Sequence, residues 1–108
     1  MGEERRRSRR ANVNLTVRWE GVLEQKTATV SSISNNGCFI LTGGKVEAKE
    51  LIRLEIQLPE GEPMYFWSEV VDEAYDIGFA ARFTMSSDED KERLASFMIE
   101  ELAKQTTS

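Results

Sequence analysis

The chain contains no histidine, one cysteine and two prolines in 108 residues. Without histidine it lacks the commonest general acid–base group and the commonest nitrogen ligand for metals. The single cysteine, Cys38, rules out an intramolecular disulfide and fits a reducing compartment. No apolar run approaches the roughly 20 residues a helix needs to span a bilayer. The arginines near the N-terminus have no apolar stretch behind them, so this segment does not read as a signal peptide. Internal repeats and low-complexity tracts are also missing. The expectation is a cytoplasmic protein without membrane insertion. At 40% hydrophobic and 31% charged residues the composition is that of an ordinary folded domain, and the length suits one such domain.

What stands out is positive charge gathered in one place. The formal net charge is −5, yet Arg5, Arg6, Arg7, Arg9 and Arg10 against Glu3 and Glu4 leave residues 1–10 at +3. The other 98 residues therefore carry −8. A short cationic segment on an acidic body suits an anionic ligand or partner at that segment. A solvated basic leader is the alternative reading. The acidic body argues against nucleic acid as the partner, because it repels phosphate backbones.

The middle of the chain reads as β. Val13, Leu15, Val17 and Trp19 alternate with polar residues, the period of a half-buried strand. Gln25–Ile33 follows, with Ala28, Val30 and Ile33 as inward candidates, then a turn at Asn35-Asn36-Gly37, where Asn and Gly tolerate positive φ. Cys38–Leu41, Leu51–Leu58, Met64–Val71 and Ile77–Phe83 read as further strands, with Gly78 a bulge or close-approach site. Pro59–Pro63 is the clearest loop. The period then changes. Leu94, Phe97, Met98 and Leu102 share one helical face, and Ser87 with Asp90 fits a capping box, Ser86 being a competing cap. Six or seven short strands followed by one helix predict a mainly β protein, an antiparallel barrel or sandwich with its helix over an end or edge. The expected division is a flexible arginine-rich arm over residues 1–12 and a barrel domain over 13–108, with the helix at 87–104.

Two segments carry chemistry. Guanidinium groups in Arg5-Arg6-Arg7-Ser8-Arg9-Arg10 are planar forks that grip phosphate oxygens, bond guanine O6 and N7, or stack on a base. In Ser32-Ile33-Ser34-Asn35-Asn36-Gly37, an extended backbone would put the Ser32 and Ser34 hydroxyls on one face, and Gly37 would let the chain turn or a ligand approach closely. Taken alone, this second segment is a polar hairpin end. Catalysis has no such footing. No two carboxylates are spaced to share a polar strand face, and Cys38 lies in an apolar strand with no histidine to activate it. Trp19 and Trp67 read as packing residues, and Tyr65-Phe66-Trp67 cannot all face inward, so an outward ring marks either edge shielding or a partner surface.

An arginine arm, a strand, and S-x-S-x-x-G closing the next strand together resemble the PilZ family. Its members carry R-x-x-x-R on a leader and [D/N]-x-S-x-x-G on a split antiparallel β-barrel with a C-terminal α-helix. Arg6 and Arg10 match the first motif, with Arg5 upstream; Arg5 and Arg9 also satisfy the spacing, but Arg10 lies nearest the first strand. Ser34 and Gly37 match the second motif, and Ser32 stands where the family has Asp or Asn. The likeness runs on through Leu51–Leu58, the Pro59–Pro63 loop and Ile77–Phe83 to the helix.

The resemblance implies a non-enzymatic receptor for the bacterial second messenger cyclic di-GMP, with no metal and no other cofactor. Arg6 and Arg10 would meet phosphates and guanine acceptors, Arg5 would add charge or a stacking surface, Ser32 and Ser34 would bond a guanine, and Gly37 would shape the strand end. Ligand-driven ordering of the arm would relay the signal to a protein partner in motility, pilus or exopolysaccharide control. The family also contains adaptors that bind no nucleotide and act through protein contacts, and the shorter reach of Ser32 keeps that alternative open.

Overall fold

The computed structural model describes residues 9–74 and 77–106. Six strands run in the order β1 (Ala11–Glu20), β2 (Gln25–Ile33), β3 (Gly37–Leu41), β4 (Leu51–Ile56), β5 (Met64–Ala74) and β6 (Gly78–Met85), followed by helix α1 (Asp88–Thr106). They close into an antiparallel barrel with spatial order β1-β2-β3-β6-β5-β4, β4 returning to pair with β1. The expected mainly β barrel with a terminal helix is thus the observed fold. β1 starts at Ala11, a fully buried residue, two positions before the alternation of Val13 begins.

Period-two alternation explains most of the core. Val17 and Trp19 of β1, Ile52, Leu54 and Ile56 of β4, and Met64, Phe66 and Val70 of β5 point inward and are buried. Fully burying side chains of this kind contributes about 1.5–3 kcal/mol each. Trp19 packs edge-on against Phe79, with ring centroids 5.3 Å apart. In β2 the alternation breaks near its end. Val30 and Ile33 are both fully buried although three positions apart. Between Val30 and Ser32 the pairing of β2 with β3 shifts register, which makes Ser31 the extra residue of a β-bulge. That bulge returns Ile33 to the core and turns Ser32 out.

Because every pairing is antiparallel, the start of β1, the end of β2, the start of β3 and the end of β6 lie at the same end of the barrel. Helix α1 covers this end. Leu94, Phe97 and Met98 are buried against the core, with Leu102 partly so, as the helical spacing predicted. Ser87 is the cap: its Oγ accepts the Asp90 N–H at 3.0 Å, satisfying a first-turn donor. Further pins hold α1 in place. Asp90 Oδ2 accepts the Tyr65 N–H at 3.1 Å, and Arg93 donates to the carbonyls of Glu62 and Pro63 in the β4–β5 loop. Among the described residues no helix is long and apolar enough to cross a membrane.

Candidate ligand-binding site

The two chemistry-bearing segments meet at the covered end of the barrel. Arg10, the last residue before β1, donates from Nη1 to Ser32 Oγ at 3.2 Å. The register explains why: Ala11 sits opposite Ile33 and Asn12 opposite Ser32, so the chain entering β1 passes directly beside the end of β2. Both partners are accessible, and among the described residues no carboxylate pairs with Arg10. Arg9 is exposed beside it. Arg5 and Arg6 lie outside the described residues. The guanidinium of Arg10 is thus held over the barrel mouth by a weak neutral acceptor.

Ser34 occupies a different place from the one expected. β2 ends at Ile33, so Ser34 does not continue the extended face of Ser32; it is buried, with 2% of its surface exposed. Its Oγ accepts the N–H groups of Asn36 at 3.1 Å and Gly37 at 3.2 Å, and its hydroxyl donates to the Gly37 carbonyl at 3.4 Å. The Ser34 N–H also reaches the Gly37 carbonyl, at 2.8 Å. A buried hydroxyl satisfying two backbone donors is a turn clamp. The expectation that Ser32 and Ser34 share one face is corrected accordingly: Ser32 meets Arg10, and Ser34 clamps the turn.

The turn itself forms without the expected positive φ at Asn35 or Asn36; among the described non-glycine residues only Lys49 has one. Gly37 is needed for another reason. As the first residue of β3 it sits opposite Arg82, and a Cβ there would overlap the Ala81 carbonyl oxygen of β6. The close approach is by backbone of the same chain. Gly78, at φ 153°, plays the corresponding role where β6 begins, with the Ile40 carbonyl in the way of any side chain.

Electrostatics divide the surroundings of this end. Beside the turn lies a groove of about 550 Å³ whose walls include Asn35, Asn36, Arg82, Phe83 and Lys91. Arg82 is ion-paired with Glu69 across β5 and β6. A second groove of about 510 Å³, between α1 and the β4–β5 loop, is lined by Glu60, Glu89, Glu92, Glu100 and Glu101 among others. The second groove is rich in carboxylates, with Arg93 and Lys104 among them, whereas the first has Arg82 and Lys91 and no carboxylate in its lining. Cys38 takes no part in either. The side chain is fully buried, and burial pushes its thiol up to about 12, with nearby Arg10 only partly opposing the rise. No group of three or more Cys, Asp or Glu residues placed to hold a metal ion occurs among the described residues.

Sequence reasoning missed Gln105. Its side-chain amide accepts the Asn12 N–H at 3.1 Å and donates to the Asn12 carbonyl at 2.9 Å, across 93 positions of sequence. No local pattern marks such a contact. It also left the outer face of β5 open between two readings. Phe66 is buried while Tyr65 and Trp67 are each about half exposed, so two rings face outward.

Comparison with known proteins bears on family and fold. The family model described as "PilZ domain" matches residues 4–100. No curated relative matches the sequence. Among solved structures, MotI/DgrA of Bacillus subtilis, described as an inhibitor of motility, superposes with a TM-score of 0.77 at 18% identity, over 96% of this chain and 52% of its own. YcgR of Escherichia coli in complex with c-di-GMP gives 0.70 at 15% identity, over 95% and 49%. The PilZ domain of CeSA from a cellulose-synthesizing bacterium gives 0.66 at 11%, over 85% and 96%. The chain thus spans about half the length of MotI and YcgR and nearly all of the isolated domain. At these identities the likeness is one of fold.

Proposed function

The chain belongs to the PilZ domain family, and from that membership we propose that it is a receptor for cyclic di-GMP. The observation that carries the reading is the contact between Arg10 and Ser32, which joins the arginine motif to the serine–glycine motif at one end of the barrel. In this reading Arg6 and Arg10 bind phosphates and guanine acceptors, Arg5 adds charge or stacks on a base, Ser32 bonds a guanine edge, and Ser34 with Gly37 holds the turn that the ligand lies against. Two phosphates on the ligand match the one concentration of positive charge in an acidic chain. No side chain in this assignment performs chemistry on the ligand; binding fixes the arm against the barrel, and the ordered arm is the surface a protein partner reads. The setting is cytoplasmic, in motility, pilus or exopolysaccharide control.

One observation favours a second reading. Ser32 offers a neutral hydroxyl where the family pattern has a carboxylate or amide, a loss of roughly 1 kcal/mol or more in a bond to a guanine edge. An adaptor that binds no nucleotide and works through protein contacts would need no better group there. Titration calorimetry separates the two. The receptor reading predicts saturable heat with cyclic di-GMP, abolished in the Arg6→Ala, Arg10→Ala double variant. Absence of heat from the wild-type chain at high micromolar ligand would leave the adaptor reading.

A further inference from the structure

We propose that Gln105, in the last turn of α1, is a positioning residue for the ligand site, coupling the helix to the root of the arginine arm. The proposal rests on the receptor reading above and adds a route by which ligand is felt at the helix.

One edge of β1 is only partly covered. β1 runs from Ala11, but its pairing with β4 covers only Val17–Glu20. One further backbone bond, Gln57 N–H to the Thr16 carbonyl at 2.8 Å, extends that side slightly. Among the described residues, the first positions of β1 therefore have β2 on one side and no neighbouring strand on the other. An unpaired strand end frays, and here it is the end that carries Arg10. The Gln105 amide fills the gap. It supplies one acceptor and one donor to the backbone of a single residue, Asn12, as a neighbouring strand would.

Asn12 lies opposite Ser32, and Ser32 holds Arg10. The chain of contacts Gln105, Asn12, Ser32, Arg10 thus ties the helix end to the guanidinium through three hydrogen bonds and one strand pair. Coupling between two sites is reciprocal. If Gln105 holds the arm root in the geometry that receives ligand, ligand must in turn hold Gln105 and quiet the last turn of α1.

The test compares wild type, Gln105→Ala and, as a matched change in the same helical turn, Lys104→Ala. Two readouts are taken: calorimetric affinity for cyclic di-GMP well below the melting temperature, and backbone amide exchange with and without that ligand. Loss of two amide bonds at the arm root is expected to weaken binding about three- to tenfold in Gln105→Ala. Lys104→Ala should bind as wild type does. In wild type, ligand should slow exchange at residues 103–105, and in Gln105→Ala that slowing should vanish. A merely structural role would lower the melting temperature and leave both ligand readouts unchanged, and that result overturns the coupling while the receptor reading stands. Wild type that binds no cyclic di-GMP overturns the receptor reading and the coupling with it.

Discussion

Replacing Ser34 with alanine distinguishes a clamp from a ligand contact. In the folded protein the Ser34 Oγ is the acceptor for two backbone N–H groups, those of Asn36 and Gly37, in a turn where Ser34 is 2% exposed. Alanine removes the acceptor and leaves both donors in place. An N–H stranded away from water costs about 1–3 kcal/mol. Gly37 is buried, whereas Asn36 is exposed and water can replace its partner, so roughly one full penalty is expected, about 1–3 kcal/mol in all. For a domain near this size each kcal/mol lowers Tm by about 4–8 °C. Ser34→Ala should therefore melt several degrees below wild type, and its urea midpoint should fall with the slope m unchanged. The measurement is made without any ligand, and that is its force. An unaltered Tm would show that the hydroxyl does no structural work, and the assignment of Ser34 as a turn clamp would fail.

Three more predictions concern single residues. Ser32→Asp places a carboxylate beside Arg10 and restores the family pattern; cyclic di-GMP should bind up to about tenfold more tightly, and unchanged or weaker binding in calorimetry would refute the role given to position 32. Ser68 is fully buried, and its hydroxyl has no partner among the described residues, so Ser68→Ala should leave stability unchanged or raise it by about 1 kcal/mol in urea unfolding. The Cys38 thiol has an ordinary value of 9.0 and is pushed up to about 12 on folding, so the folded chain holds a proton that the unfolded chain releases. Its contribution is complete below pH 9 and is lost as pH rises toward 12, at about 1.4 kcal/mol per pH unit. Subtracting the stability-against-pH curve of Cys38→Ala from that of wild type should isolate this fall, and parallel curves would refute it.

Alternation and helical spacing made the fold legible. Val17 and Trp19, the inward face of Leu54, Ile56 and Leu58, and the Leu94–Leu102 helical face all lie where local pattern puts them. Capping chemistry was equally local, and Ser87 rather than Ser86 bonds the first turn. The departures come from contacts that join distant parts of the chain. The bulge at Ser31 exists because Ile33 must reach the core while β3 keeps its own register. Gly78 is the close-approach site its strand suggested, whereas Gly37 answers to a carbonyl of β6, a partner its own surroundings do not reveal. Ser34 would share a face with Ser32 only on an extended backbone, but β2 stops at Ile33 and the hydroxyl takes two backbone donors of the turn instead. The identity of the two motifs was visible in the residues, but the contact of Arg10 with Ser32 depends on the register of β1 against β2, and Gln105 reaches Asn12 only because α1 folds back over β1.

Nitrogen–proton correlation spectra recorded while cyclic di-GMP is added give the most direct view of where it binds. The account predicts large shifts at Arg10, Ser32 and the 34–37 turn, with the loops at the opposite end of the barrel, residues 21–24 and 42–50, left unmoved. Shifts centred on those far loops, or none at saturating ligand, would contradict it.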